Sequence, residues 1–260
     1  MPFANLDTHK IHYQVTGSSD KPTLVFSNSL GTNLHLWDTQ VAWLSEHFTC
    51  VAYDKRGHGK SSTAEGDYSM ADLGGDVIKL MDHLGIQTAN WIGLSIGGMT
   101  GQWLAANHVD RFDKMVFANT SSFAGGDKQV WVDRINTVLE QGMDVIADST
   151  VDRWFTKAFQ KADPSAIKRQ MDMVRQADPR GYASCCAAIR DMDFREANKA
   201  VTLPVMVISG SVDIATPPEL GRLIAETIPG ARLEEFEAPH ISNIERRAEF
   251  DDAIRSFFQL

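Results

Sequence analysis

The sequence predicts an α/β protein, a mostly parallel sheet with helices on both faces and a helical insertion. Three observations carry this. Short apolar runs alternate with amphipathic segments over the first 120 residues. The alternation stops at Thr120, and the following stretch shows only the helical period. Strand-like runs then return at Pro204.

Residues 9–15 alternate polar and apolar side chains and end in the turn cluster Thr16-Gly17-Ser18-Ser19-Asp20, which predicts an outer antiparallel strand. Residues 23–27 (TLVFS) form an apolar run suited to a strand buried on both faces. Leu34, Trp37, Val41 and Leu44 predict a helix over 33–46, and residues 48–53 (FTCVAY) the next strand. Met70, Leu73, Val77, Leu80, Met81 and Leu84 predict a helix over 69–84, stopped by Gly85. Residues 90–94 read as a strand, a helix follows Ser95, and 114–118 is a strand again. From 121 to 197 there is no convincing strand. Trp131, Ile135, Val138 and Leu139 make one helical stripe, Val151, Trp154, Phe155 and Phe159 another, and a helix is expected over 166–176. Residues 204–209 resume the strand pattern. A helix over 217–228, a strand over 232–236 and a helix over 243–258 complete the chain. The expected organisation is a core of residues 1–120 and 198–260, with a helical cap of residues 121–197.

Composition narrows the function. The chain has 260 residues, 43% hydrophobic and 23% charged, which argues against disorder. A net charge of −9 argues against nucleic acid or an anionic membrane as partner, and means that an anionic substrate needs a local cation. The three cysteines, Cys50 and the adjacent Cys185 and Cys186, make no disulfide framework and fit a reducing compartment. No basic segment followed by an apolar stretch opens the sequence, and no apolar run approaches the ~20 residues of a membrane helix. These features point to a cytoplasmic protein.

The strongest chemical signal is Gly93-Leu94-Ser95-Ile96-Gly97-Gly98, placed between a buried strand and a helix. A strand-to-helix turn this tight brings its flanking positions together, so glycines are required there. It also pushes the serine hydroxyl out of the sheet, beside free N–H groups at the helix start. Where a turn of this kind presents a nucleophilic serine, the chain order is nucleophile, acid, histidine. Of the eight histidines, His240 follows the last strand, on the same sheet edge as Ser95. Asp213 follows the preceding strand, in Ser209-Gly210-Ser211-Val212-Asp213. Ser95, Asp213 and His240 are therefore the expected catalytic residues, although Asp213 also suits an ordinary turn or helix cap. An oxyanion hole needs two donors. The Ile96 N–H is one. The other is expected from Ser27-Asn28-Ser29-Leu30-Gly31-Thr32, as the Leu30 N–H.

Other features read as structural. Asp54-Lys55-Arg56-Gly57-His58-Gly59 lacks phosphate-loop spacing. Gly97, Gly98 and Gly101 do not make a dinucleotide fingerprint. No H-E-x-x-H or C-x-x-C is present, so no metal site is indicated. The Glu234, Glu235 and Glu237 cluster is expected to be solvated, and Met143, Met171 and Met173 to pack the insertion.

Taken together, these stretches resemble the α/β-hydrolase superfamily and, within it, the 3-oxoadipate enol-lactonases. The likeness runs through residues 27–38 (SNSLGTNLHLWD), 53–62 (YDKRGHGKSS), 93–105 (GLSIGGMTGQWLA), 209–218 (SGSVDIATPP) and 238–245 (APHISNIE). RGHG and GLSIGG are shared across the superfamily. SNSLGT in place of a His-Gly loop, HISNIE, and the insertion segments WVDRI and YASCCAAIRDMDFR are closer to the lactonases. Ile96 stands where Met is expected. The resemblance implies an eight-stranded sheet and hydrolysis of 3-oxoadipate enol-lactone, late in the β-ketoadipate route, by a serine hydrolase without a cofactor. That lactone carries an acetate group, so Trp131 and Arg134, three apart on a helix, are candidates to cover the ring and read the carboxylate, with Arg190 as the fallback. Arg134 and Trp131 equally suit a solvated residue and lid core. A general carboxylesterase or cofactor-free perhydrolase on the same triad, and a non-catalytic receptor on the same fold, are the competing readings. Oligomeric state is left open.

Overall fold

The computed structural model describes residues 2–260. Eight strands form one sheet: β1 (Phe3–Asn5), β2 (Lys10–Thr16), β3 (Thr23–Ser27), β4 (Thr49–Tyr53), β5 (Ala89–Leu94), β6 (Phe112–Ala118), β7 (Val205–Gly210) and β8 (Arg232–Phe236). Their order is β1-β2-β4-β3-β5-β6-β7-β8. The β1–β2 and β2–β4 pairs are antiparallel, and the remaining pairs are parallel. Seven strands fall where the sequence predicts strands. The eighth, β1, is three residues long, too short to show an alternation.

Core helices are α1 (Asp38–Leu44), α2 (Met70–His83) and α3 (Ile96–Asn107). The insertion is all helical: α4 (Gln129–Gln141), α5 (Asp144–Trp154), α6 (Lys157–Ala162), α7 (Pro164–Gln176) and α8 (Pro179–Asp191). Then come α9 (Pro218–Thr227), α10 (Ser242–Glu245) and α11 (Arg247–Phe258). Local chemistry sets the ends. Ser69 and Asp72 form a capping box at the start of α2, and Gly85 takes a positive φ after its end. Pro164 and Pro179 stand in the first turns of α7 and α8 behind the caps Asp163 and Asp178.

Four helical expectations change. The stripe of Val151, Trp154, Phe155 and Phe159 is divided, because α5 ends at Trp154, Phe155 is extended and Phe159 lies on α6 behind the Thr156 cap. Residues 33–46 split into a 3₁₀ turn, Leu34–Trp37, capped by Asn33, and then α1. The stripe of Trp131, Ile135 and Val138 packs against the core, but Leu139 is exposed because the contact with α8 uses only one narrow face of α4. The last helix breaks at Arg246. There the Asn243 amide donates to the Leu36 carbonyl, and Glu245 accepts from Thr156 N and Oγ1, pinning α10 to two neighbours.

The sheet separates two apolar cores. Leu24, Phe26, Ile92, Leu94, Val116 and Ile208 face one, and Val25, Val51, Trp91, Phe117 and Val207 the other, following strand alternation. The first core runs on into the insertion through Val138, Trp154, Tyr182 and Cys185. The ends of the insertion meet at a neck, where Phe194 N donates to the Ser122 carbonyl and Phe123 bridges Asp193. At the opposite edge, β8 carries Arg232, Glu234 and Glu235, and Arg222 from α9 pairs with Glu235; this charge discourages edge pairing. No described helix is long and apolar enough to cross a membrane.

Candidate active site

Strand register brings the expected residues together. Ser27 pairs with Gly93, Leu94 with Ala118, Ala118 with Ile208, and Gly210 with Phe236. The carboxyl ends of β3, β5, β6, β7 and β8 are therefore level, and the residues just beyond them share one edge. Residues 28–31, Ser95, Asn119, Asp213 and His240 all come from those exits.

Ser95 has φ 58° and ψ −120°, an outlying conformation for a residue with a side chain. The strain comes from the turn. A Cβ on Gly93 would overlap the Gly97 carbonyl, and one on Gly97 would overlap the Ser27 carbonyl. The Ser95 backbone is tied on both sides: its N–H donates to Ala118 O at 2.9 Å, and its carbonyl accepts from Thr120 Oγ1 at 2.7 Å.

His240 is buried, and its Nδ1 lies 2.9 Å from Asp213 Oδ2. The carboxylate is fully occupied. Oδ1 accepts from Ala215 N at 2.8 Å and Thr216 N at 2.9 Å, and Oδ2 also accepts from Thr216 Oγ1 at 2.7 Å and Asn119 Nδ2 at 3.1 Å. Burial acts to raise the Asp213 carboxyl. The His240 charge and these hydrogen bonds outweigh it and hold the group below the ordinary carboxylate value. The acceptor requires the His240 proton on Nδ1, which leaves Nε2 free as a base. Ser95 and His240 face one cavity, without a hydrogen bond between them among the described residues. The Leu30 and Ile96 N–H groups likewise find no acceptor among the described residues.

The cavity has a volume of about 270 Å³ and lies between the strand exits and the insertion. Ser29, Leu30, Ser95, Thr216 and His240 form its floor, and Trp131, Arg134, Arg153 and Trp154 come from the cap. The Trp154 ring stacks on His240, with centroids 6.4 Å apart. Arg134 lies over the Trp131 ring and makes a long 3.4 Å contact with Tyr182 Oη. Neither Arg134 nor Arg153 forms an ion pair among the described residues, and Asp127 is the one acidic side chain lining the cavity. Burial, with the Arg134 charge beside it, lowers the Arg153 guanidinium from its ordinary value. The −9 protein thus keeps a locally cationic site.

Residues 22–247 match the family described as alpha/beta hydrolase fold. The chain belongs to the alpha/beta hydrolase family. Within that family it is 41% identical to 3-oxoadipate enol-lactonase 2 of Acinetobacter baylyi, over 95% of this chain and 92% of the relative. It is 32% identical to 3-oxoadipate enol-lactonase 1 of the same organism, over 94% and 91% of the two chains. The crystal structure of the enol-lactonase from Burkholderia xenovorans LB400 superposes with a TM-score of 0.97, at 41% identity and 100% coverage of both chains.

Set against the sequence, the structure gathers Ser95, Asp213, His240, Leu30, Ile96, Trp131 and Arg134 at one site. Arg190 is a correction. It does not line the cavity, and its guanidinium pairs with Asp191 at 2.7 Å and Asp67 at 3.5 Å, because the charged end of α8 turns outward beside those carboxylates. Sequence reasoning missed Asn119, Thr216, Trp154 and Arg153. Asn119 had a visible signal, since it comes after β6 as Ser95 comes after β5. Arg153 had none, because which face of α5 looks into the cavity depends on how the cap folds back.

Proposed function

We propose that this protein hydrolyses 3-oxoadipate enol-lactone to 3-oxoadipate, with Ser95 as nucleophile, His240 as base and Asp213 as the residue that orients it. The carrying observation is Ser95 on a strained turn, in a cavity shared with the His240–Asp213 pair and two arginines that form no ion pair among the described residues. Nε2 of His240 takes the hydroxyl proton as Oγ attacks the lactone carbonyl. The Leu30 and Ile96 N–H groups receive the oxyanion. Collapse of the tetrahedral intermediate breaks the ring C–O bond, and His240 returns the proton to the enol oxygen. The freed enol then ketonises. Water, deprotonated by His240, attacks the acyl-enzyme and releases the second carboxylate. Trp131 covers the ring, and Arg134 and Arg153 hold the acetate carboxylate as a charge-assisted pair. The three unbridged buried cysteines suit a reducing cytoplasm.

The test is loss of enol-lactone absorbance with purified protein, alongside Ser95→Ala and an aryl acetate. Rapid turnover abolished in Ser95→Ala is expected. Faster hydrolysis of the neutral ester than of the lactone would overturn the substrate assignment in favour of a general esterase.

A further inference from the structure

The segment Asp54-Lys55-Arg56-Gly57-His58-Gly59 takes no part in the chemistry above, yet three of its side chains reach the loop that carries Leu30. Lys55 Nζ donates to the Asn28 carbonyl at 2.6 Å. His58 Nε2 accepts the Gly31 N–H at 3.0 Å. Asp54 Oδ1 accepts the Leu34 N–H at 2.7 Å. The Leu30 N–H lies between the two peptide groups held by Lys55 and His58.

Lys55 is 2% exposed. Among the described residues it forms no ion pair; its neighbour Asp54 is already paired with His12 at 2.6 Å. An ammonium buried without a carboxylate is costly, and an apolar side chain would fill the same space at less cost. Burial draws Lys55 down to about 8, with Cys185 and Asp54 opposing the shift. His58 is equally enclosed. Burial, then the Lys55 charge, pushes its ring down to about 3, so it is neutral at physiological pH. Nδ1 lies 3.2 Å from the Arg56 carbonyl and carries the proton, which leaves Nε2 as the acceptor for Gly31.

We propose that Lys55 and His58 are positioning residues for the oxyanion hole, fixing the Asn28 and Gly31 peptide groups so that the Leu30 N–H is aimed before the substrate arrives. This rests on Leu30 as an oxyanion donor. Loss of a donor outright lowers kcat by roughly 10²–10³, and loss of its aim is a smaller fraction of that.

The experiment compares Lys55→Met, His58→Leu, His58→Gln and Ser95→Ala, with active serines counted by end-point labelling with a fluorophosphonate. Expected for Lys55→Met and His58→Leu is a fall of about tenfold or more in kcat per labelled serine, with KM within about threefold, by the fractional-loss argument. His58→Gln, whose amide oxygen accepts an N–H, is expected to recover most of the loss. A merely structural role lowers the number of labelled serines and the Tm, and leaves kcat per serine unchanged. Wild-type kcat per labelled serine in both Lys55→Met and His58→Leu overturns the proposal. Should Lys55→Met fail to fold, the two His58 variants decide it alone: equal kcat for Leu and Gln overturns it. An active Ser95→Ala instead overturns the reading of the site on which the proposal rests.

Discussion

Asn119 Nδ2 donates to Asp213 Oδ2 at 3.1 Å, joining the exit of β6 to the carboxylate after β7. The same amide group donates to the Pro239 carbonyl at 3.2 Å, and its Oδ1 accepts from Ser242 Oγ at 2.5 Å. One side chain thus ties the acid to both sides of His240. Asp213 Oδ2 faces three donors, and Oδ1 faces two backbone N–H groups.

Asp213→Asn therefore sets an NH₂ group against donors in either orientation. A fall of roughly 10²–10⁴ in kcat is expected, because His240 loses the partner for its Nδ1 proton. Steady-state kinetics on the lactone checks this, and near-normal turnover would move the acid elsewhere.

Ser95 holds its turn at the expense of strain, of order 1–3 kcal/mol for an outlying backbone conformation. Ser95→Gly should accordingly lower kcat by several orders of magnitude while raising the Tm or leaving it unchanged. Calorimetry beside kinetics is the measurement; a marked fall in Tm shows that the serine side chain supports the fold.

Arg153 is expected to count as much as Arg134 in reading charge. Arg153→Met should raise KM for the enol-lactone by about tenfold or more, taking ~1.5–3 kcal/mol for a hydrogen bond to a charged group. KM for a neutral aryl ester should move little. Equal losses on both substrates would mean that Arg153 supports the cap.

His58 makes stability depend on pH. Its folded value, about 3, lies below the ordinary 6.5, so in between the unfolded chain binds the proton and the folded one does not. The stability tied to this group is complete above pH 6.5 and is lost as pH falls toward 3. Thermal unfolding across that range should be less steep in His58→Gln than in the wild type. Identical slopes would show that the ring titrates at its ordinary value in the folded protein.

Much of the site was legible before folding. Gly93 and Gly97 declare a tight strand-to-helix turn around Ser95 because no side chain fits at either position. Asp213 and His240 were found by their places just after strands, since parallel strands deliver their exit loops to one edge. Arg190 misled because spacing on a helix says which residues share a face and not where that face points.

By itself the sequence determined the order of seven of the eight strands, the turn at Ser95, the break in rhythm at Thr120 and the excess of acid over base. These depend on local sterics, on the period of apolar residues and on simple charge count. Tertiary structure decided which side chains meet across the chain. It set Trp154 against His240, left Arg134 and Arg153 over the same cavity with no ion pair among the described residues, and turned Lys55 and His58 from an apparently idle basic segment onto the Asn28–Gly31 loop. The physical reason is that a hydrogen bond between residues 27 apart, such as His58 to Gly31, leaves no periodic trace; it exists only once β3 and β4 lie side by side.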